Sequence, residues 1–318
     1  MLQQDKLIKE SKKWTVSVLR AVFLIAFSFI LVYPVFFMIS SSLKTQTDVI
    51  NPAVQWLPRN PSFYSFKIAF EAMEFPKSLW NTIRFEMVSA LLEVFSCAVY
   101  AYGLARFRFK LKPVLIFSVI LIIFIPDVVM IIPRITNFRY MDFLGILGLV
   151  KKLTGVELRP NLTDTGFMFW LPSIFGVGLK GGLFIFIYMQ FFKGLPKELE
   201  EAAWVDGAGP IKTFIKIIIP SSGVVILTVF IFSVIWHWND WFLSMMYTSS
   251  NKTLAVMIYD IKDALSRWAN ARKFALDQDL SYGIPLAAGL IYIAPPTVMY
   301  LFLQKKFIQS IDRVGIVG

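Results

Sequence analysis

The residues Glu201-Ala202-Ala203 are followed by three residues, by Gly207, by nine further residues and by Ile217-Ile218-Ile219-Pro220. Good helix formers run from Lys197 to Val205, and Gly207 can adopt the positive φ that ends a helix. Pro210 suits the first turn of a second helix, because a helix leaves its first N–H groups without partners. The stretch therefore predicts two short helices joined by a turn at Gly207.

The composition restricts the class of protein. Hydrophobic residues make up 57% of the 318 residues and charged residues 17%, and the mean hydropathy is +0.64. This leaves too little polar surface to solvate a globule. The formal charge of +11 could indicate nucleic-acid binding, but the basic residues cluster beside apolar segments, where they can contact lipid headgroups. The composition predicts an integral membrane protein.

Six apolar segments are long enough to cross a hydrocarbon core of about 30 Å, which takes about 20 helical residues. The expected fold class is therefore an all-α integral membrane protein with one transmembrane domain over residues 1–318. The only cysteine, Cys97, lies in one of these segments, which excludes a disulfide within the chain and favours a small core residue. The predicted spans lie near 16–41, 80–105, 113–133, 167–192, 221–247 and 282–303.

Basic residues indicate the orientation. Arg106, Arg108, Lys110 and Lys112 crowd the loop between the second and third spans. Lys and Arg beside helix ends favour the cytoplasmic side. We therefore expect this loop, the loop over 193–220 and both termini to be cytoplasmic.

The spacing from Glu201 to Pro220 resembles the EAA loop, EAA-x3-G-x9-I-x-L-P, of permease subunits in binding-protein-dependent ATP-binding cassette (ABC) importers. Ile219 stands where that family usually has Leu, and Trp204 stands where its sugar branch commonly has Arg. The Gly209-Pro210 pair is a further departure, and these changes bear on the pairing with the ATPase rather than on docking. Three other stretches resemble the sugar-importing branch, similar to the second membrane subunit of the maltose transporter: Ala101–Phe109, Gln190–Pro196 and Trp238-Asn239-Asp240.

The resemblance implies a type I ABC importer permease fold with six transmembrane helices. Residues 193–220 would form the coupling helix that docks in a cleft of an ATPase subunit. The acids Glu198, Glu200, Glu201 and Asp206 offer charge for pairing with that partner. The residues assigned to ATPase coupling are Glu201, Ala202, Ala203, Asp206, Gly207, Ala208 and Pro220.

The resemblance also implies partners and a location. The partners are a second homologous permease subunit, two ABC ATPase subunits and an extracytoplasmic sugar-binding protein. The location of this chain is the bacterial plasma (inner) membrane. The chain has no G-x-x-x-x-G-K-[ST] motif. We therefore expect no cofactor on this chain, with ATP and magnesium on the ATPase subunits and no enzymatic activity of its own. The expected cargo is a carbohydrate, an oligosaccharide in particular.

Polar residues within the spans predict a substrate path. An ionisable side chain at the bilayer centre costs about 2.5–3.5 kcal/mol on insertion scales, so Glu93, Asp127 and Asp240 should face the bundle interior or water. Glu93 could equally pair with a basic residue of a second subunit, whereas Asp127 follows Pro126 and favours a cavity. Trp238, Asn239 and Asp240 combine a ring with hydrogen-bonding groups, as sugar sites do, although tryptophans also mark membrane interfaces.

Two other classes of function compete with an importer subunit. A self-contained ion-coupled secondary transporter would bind protons or sodium at the buried acids and should contain an internal repeat, of which there is no convincing sign. An intramembrane enzyme is disfavoured, because the single His237 neither builds a metal cluster nor completes a triad.

In an importer, the long external loops would receive the binding protein, with candidate contacts at Trp56, Trp268 and Asp277-Gln278-Asp279.

Overall fold

The computed structural model describes residues 2–142, 145–273 and 280–315, so the Asp277-Gln278-Asp279 run lies outside the described residues. Within them the chain is helical and has no strand. Two five-residue π-helical segments, Ile83–Met87 and Phe214–Ile218, interrupt the α-helices. In chain order the α-helices are α1 (Leu2–Ser42), α2 (Gln46–Ile50), α3 (Tyr64–Ala72), α4 (Phe75–Thr82), α5 (Val88–Arg106), α6 (Lys112–Phe124), α7 (Asp127–Arg139), α8 (Ile146–Thr154), α9 (Phe167–Ile174), α10 (Gly181–Gly194), α11 (Glu198–Val205), α12 (Pro210–Thr213), α13 (Ile219–Ser221), α14 (Gly223–Trp238), α15 (Phe242–Tyr247), α16 (Leu254–Tyr259), α17 (Ile261–Ala271) and α18 (Leu280–Gly315).

Three stretches of helix are long and apolar enough to cross a membrane without a sharp bend. They are Lys13–Ser42, Phe75–Arg106 and Tyr282–Lys305. These ranges contain the predicted spans over 16–41, 80–105 and 282–303. The second is a composite of α4, a π-helical segment and α5.

Two further candidates are bent pairs of helices. Lys112–Phe124 and Asp127–Arg139 meet at 105°, and Pro210–Ser221 and Gly223–Trp238 meet at 81°. The first bend has a local cause, because a proline disfavours helical backbone in the residue before it. Ile125, which precedes Pro126, is accordingly extended (φ −74°, ψ 118°), and α6 ends one residue earlier, at Phe124. Counting each pair as one span gives up to five candidates among the described residues.

The predicted span over 167–192 is not a continuous helix. Helix α9 ends at Ile174 and α10 begins at Gly181, and between them Gly176 and Lys180 have φ values of +67° and +66°. Left-handed backbone cannot continue a right-handed helix. The predicted span over 221–247 is likewise interrupted between Trp238 and Phe242. An unbroken helix was the wrong expectation for both segments, while the total of six spans stays a prediction.

The described residues divide into two compact units. The first consists of those within 1–72 and 261–293, which form α1, α2, α3, α17 and the start of α18. Helix α17 packs on α3. Trp268 donates to Glu71 at 3.1 Å, and Arg272 forms an ion pair with the same carboxylate at 3.1 Å. Trp268, expected to contact a binding protein, thus contributes to packing within its own unit.

The second unit consists of the described residues within 73–260 and 294–318. Helix α5 is at its centre and packs against α9, α10 and α14. Cys97, Ala98 and Ala101 are buried and small, which allows α10 to approach closely. On α10, the rings of Tyr188 and Phe192 stack at 5.7 Å in the same core. Cys97 is therefore a buried core residue, as predicted.

Candidate functional site

Three helix interruptions in the second unit lie side by side. Lys180 Nζ, at the break before α10, is 3.8 Å from Asp127 Oδ2, at the break before α7. Arg134 on α7 donates from Nη2 to the carbonyl of Val177 at 3.0 Å and from Nη1 to the hydroxyl of Tyr247 on α15 at 3.3 Å. Irregular backbone at membrane depth is tolerated where it lines a cavity or is satisfied by protein. Here the side chains of the broken helices bind one another and one carbonyl of the irregular backbone between them.

A cavity of about 580 Å³ opens beside these breaks. That volume lies within the range of about 300–1,000 Å³ typical of small-molecule sites. Most of the residues that line it are apolar, among them Ile122 and Leu183. The exceptions that carry charge or a polar ring are Asp127, Arg134, Lys180 and Trp236. The cavity therefore offers a broad apolar surface with a few charged groups, which suits a small polar molecule.

Glu93 lies beside the break before α10 and is fully buried. Its Oε2 is 3.5 Å from Nε2 of His237 on α14, and Nδ1 of that histidine lies 2.9 Å from the carbonyl of Ser233. A carbonyl only accepts hydrogen bonds, so Nδ1 carries a proton and Nε2 faces the carboxylate. Gly178 and Gly181 leave the space that Glu93 needs, because a Cβ on either would stand 2.8 Å from Oε1.

A second buried carboxylate lies nearby. Glu86 is almost fully buried, and Ser244 on α15 donates to its Oε1 at 2.5 Å. Glu86, His237 and Asp240 line a small cavity of about 20 Å³, enough for one water molecule. Asp240 also accepts the N–H of Leu243 at 3.0 Å and so stabilises the first turn of α15.

The five residues predicted for a substrate path do not share one surface. Asp127 lines the large cavity, whereas Asp240 lines the small one. Glu93 lies beside His237 of the same chain, with Oε2 3.5 Å from Nε2. Trp238 is buried, and Asn239 is exposed and donates to the carbonyl of Ile235 at 2.8 Å.

Sequence reasoning missed Glu86, Arg134, Lys180 and the role of His237. The charge of Glu86 within an apolar span was a usable signal, because a buried acid there needs a partner. Lys180, within the predicted span over 167–192, carried the same signal, whereas Arg134 lies just beyond the predicted span over 113–133 and gave none. Among the described residues, no group of three or more His, Cys, Asp or Glu side chains could hold a metal ion.

A second candidate site is the segment of two short helices around Gly207, residues 198–213. Helix α11 ends at Val205, Gly207 has φ +79°, and the N–H of Ala208 bonds the carbonyl of Ala203 at 2.9 Å. This is the predicted turn. Pro210 opens α12, also as predicted.

The segment presents apolar side chains to its surroundings although α11 lies outside the candidate spans. Val205 is 88% exposed. Clustered exposed apolar groups mark contact with another protein or with a membrane. The other large apolar side chains exposed here are Leu199, Trp204 and Ile211. Of the residues assigned to ATPase coupling, Glu201, Ala202, Asp206, Gly207 and Pro220 are exposed, Ala208 is half-buried and Ala203 is buried.

Glu200 differs from its acidic neighbours because it points inward. Its Oε2 lies 3.1 Å from Nε of Arg106, and both side chains are buried. Nη2 of Arg106 also donates to the carbonyl of Leu195 at 3.0 Å. The expectation that Glu200 offers its charge to a partner protein is therefore wrong. Arg106, expected in a solvated basic loop, is instead its buried counterion.

The sequence profile of the family described as binding-protein-dependent transport system inner membrane component matches residues 96–313. The chain belongs to this family. The matched range contains the segment around Gly207, the three interrupted helices and the greater part of α5. This transport component is thus a membrane permease, and the sequence resemblance to import permeases is confirmed.

Individual relatives cover nearly the whole permease. A putative ABC transporter permease protein of Caldicellulosiruptor sp. (strain Rt8B.4) is 28% identical, over 98% of this chain and 99% of that protein. The melibiose/raffinose/stachyose import permease protein MelC of Bacillus subtilis (strain 168) is 27% identical, over 90% of this chain and 91% of its own. A chain in the crystal structure of a bacterial ABC transporter involved in the import of the acidic polysaccharide alginate superposes with a TM-score of 0.67 at 20% identity, covering 92% of this chain and 96% of that one. The helical fold is therefore that of an ABC importer permease.

Proposed function

We propose that this permease is one membrane subunit of an ATP-driven ABC importer that carries a carbohydrate, an oligosaccharide in particular. A second homologous permease would complete the pore, and an extracytoplasmic sugar-binding protein would deliver the cargo. The relative named for melibiose, raffinose and stachyose supports the class of cargo. The probable starch degradation products permease AmyC of Thermoanaerobacterium thermosulfurigenes, 23% identical over 90% of this chain, supports it further.

The observation that carries the proposal is the exposed apolar surface of α11 and α12. We assign this surface to a cleft in an ATPase subunit, in the manner of a helix docked in a groove. Glu201, Ala202, Asp206 and Gly207 lie on or beside it, while Ala203, Ala208 and Pro220 shape the segment from within or at its end. Movement of the docked ATPases would then displace this segment as a rigid body.

The permease would form one transmembrane domain of six spans, three of them interrupted, in the bacterial plasma membrane. The segment around Gly207 and both termini would be cytoplasmic, as the basic cluster after α5 favours. ATP and magnesium would bind the ATPase subunits and no cofactor would bind this chain.

The substrate path would run past the large cavity. Asp127 would contact the cargo directly, together with Arg134 and Lys180, while Trp236 offers a ring for a sugar face. Asn239 and Asp240 would lie beside this path. Glu93 and Trp238, both buried, would hold the broken helices in place.

Co-purification tests the proposal. The tagged chain is purified from its native host in mild detergent, its partners are identified by mass spectrometry, and ATP hydrolysis by the eluate is assayed. We expect two ATPase chains and one second permease for each tagged chain. A folded chain that purifies alone and transports in liposomes without ATP would contradict the proposal and turn attention to Glu86, Glu93 and Asp240 as ion-binding groups.

A further inference from the structure

The buried ion pair between Arg106 and Glu200 connects the proposed docking segment to the core. Arg106 is the last residue of α5, and Glu200 lies in the first turn of α11. Besides its 3.1 Å contact with Glu200, the guanidinium donates to the carbonyl of Leu195, just before α11. One side chain at the end of α5 thus holds both α11 and the residues that lead into it.

The surroundings make this connection rigid. The side chains of Arg106 and Glu200 are only 7% and 5% exposed. Breaking one partner of a buried ion pair leaves an uncompensated charge, so the two groups resist separation. The hydroxyl of Tyr102, one turn earlier on α5, is buried beside the same carboxylate. The guanidinium is planar and presents several N–H groups in fixed directions, which holds several acceptors at once.

Helix α5 continues from this point to the polar region. It has no proline and no break from Val88 to Arg106. At a rise of about 1.5 Å per residue, Glu93 lies about 20 Å along the helix from Arg106. The carboxylate of Glu93 is packed against Gly178 and Gly181, at the break before α10. Helix α5 therefore connects Arg106 directly to the break beside the large cavity.

We propose that Arg106 and Glu200 are positioning residues that transmit displacement of α11, through α5, to the interrupted helices. The inference rests on the proposed docking of α11 to an ATPase. It goes further, because it assigns the transmission to one ion pair and one helix of this chain. Neither residue touches cargo or nucleotide in this scheme.

The test uses the whole purified complex in lipid bilayers, with Met130→Cys in a Cys97→Ala background as a reporter in the cavity wall. Its labelling rate by a membrane-impermeant maleimide is compared without nucleotide and after trapping with ATP and vanadate. In the complex that retains Arg106 and Glu200, the labelling rate should change by about fivefold or more between the two conditions, as allosteric coupling of ordinary strength gives. Glu200→Gln and Arg106→Gln should each lose most of this change while still co-purifying with the ATPase and hydrolysing ATP.

Two further variants separate transmission from folding. The charge-swapped pair, Arg106→Glu with Glu200→Arg, should recover part of the lost change. Glu74→Gln removes one partner of an exposed ion pair, Lys77–Glu74 at 3.1 Å, and should leave the response intact. A full response in both single variants, or an equal loss in Glu74→Gln, would overturn the inference while the importer function stands. A wild-type complex without an ATPase would refute the proposed function itself.

Discussion

At the scale of single residues, Asp164 shows how one side chain organises a loop outside the spans. Its carboxylate accepts hydrogen bonds from the N–H of Ser249 at 3.0 Å and from the hydroxyls of Ser249 and Ser250 at 3.1 and 2.5 Å. Its own backbone is left-handed, with φ +60°. Burial raises the pKa of Asp164, but the bonds from Ser250 and Ser249 outweigh it and hold the pKa below its ordinary value.

Asp164→Asn should therefore destabilise the permease in a pH-dependent way. Asn tolerates the left-handed backbone but lacks the charge, so we expect a loss of about 1 kcal/mol at pH 7. A carboxyl group whose pKa is lower in the folded state than in the unfolded state stabilises the folded state at pH values above its unfolded pKa of about 3.9. The difference from wild type should stay constant from pH 7 to about pH 5 and shrink only as the pH falls below about 4. Thermal unfolding in detergent across this range measures it, and a difference that grows on acidification would contradict the assignment.

Gly181 is a second residue whose identity the structure explains. A Cβ at this position would stand 2.3 Å from the carbonyl oxygen of Gly176 and 2.8 Å from Glu93 Oε1. The backbone cannot yield as a flexible side chain would, so Gly181→Ala should cost about 1–3 kcal/mol or more. Gly194, at the other end of α10, has nothing within 4 Å of the same position and supplies the matched control. Equal unfolding temperatures for Gly181→Ala and Gly194→Ala would show that the packing around Glu93 is looser than described.

At the scale of elements, the segment of α11 and α12 combines a fixed backbone with an exposed surface. Gly207 gives the turn its positive φ, and no atom lies within 4 Å of where its Cβ would be. A β-branched residue there strains the backbone by about 1–2 kcal/mol, while its Cβ meets no neighbouring atom. The segment is therefore a place where function can be lost without unfolding.

Gly207→Val and Glu201→Arg should leave a folded chain whose transport and binding-protein-stimulated ATP hydrolysis collapse. The first distorts the turn and the second reverses a charge on the exposed surface. Gly207→Asn, which tolerates left-handed backbone, should retain more activity than Gly207→Val. Uptake and ATP hydrolysis by the purified complex measure both effects. Normal uptake by Gly207→Val and Glu201→Arg would refute the coupling role of this segment.

At the scale of the whole molecule, the sequence predicted features that depend on nearby residues. The helical class, the turn at Gly207 and the three continuous candidate spans follow from composition, spacing and length, and the family follows from the resemblance of residues 201–220 to the EAA loop. The pairs Arg106–Glu200 and Glu93–His237 could not be predicted, because their members are far apart in the chain and no local pattern relates them. The breaks at Gly176–Lys180 and Asn239–Trp241 were also missed. Hydropathy reports the environment of side chains and is insensitive to a short left-handed turn within an apolar run.

Site-specific photo-crosslinking tests whether α11 contacts an ATPase subunit. A photoreactive phenylalanine analogue replaces Val205, which is 88% exposed on α11, and a control chain carries it at Phe95, which is 73% exposed on α5. After irradiation of the native membranes, mass spectrometry identifies the captured partner. We expect Val205 to capture an ATPase subunit and Phe95 to capture none. An intact complex in which Val205 captures no ATPase, or in which Phe95 captures it equally well, would show that α11 is not the docking helix.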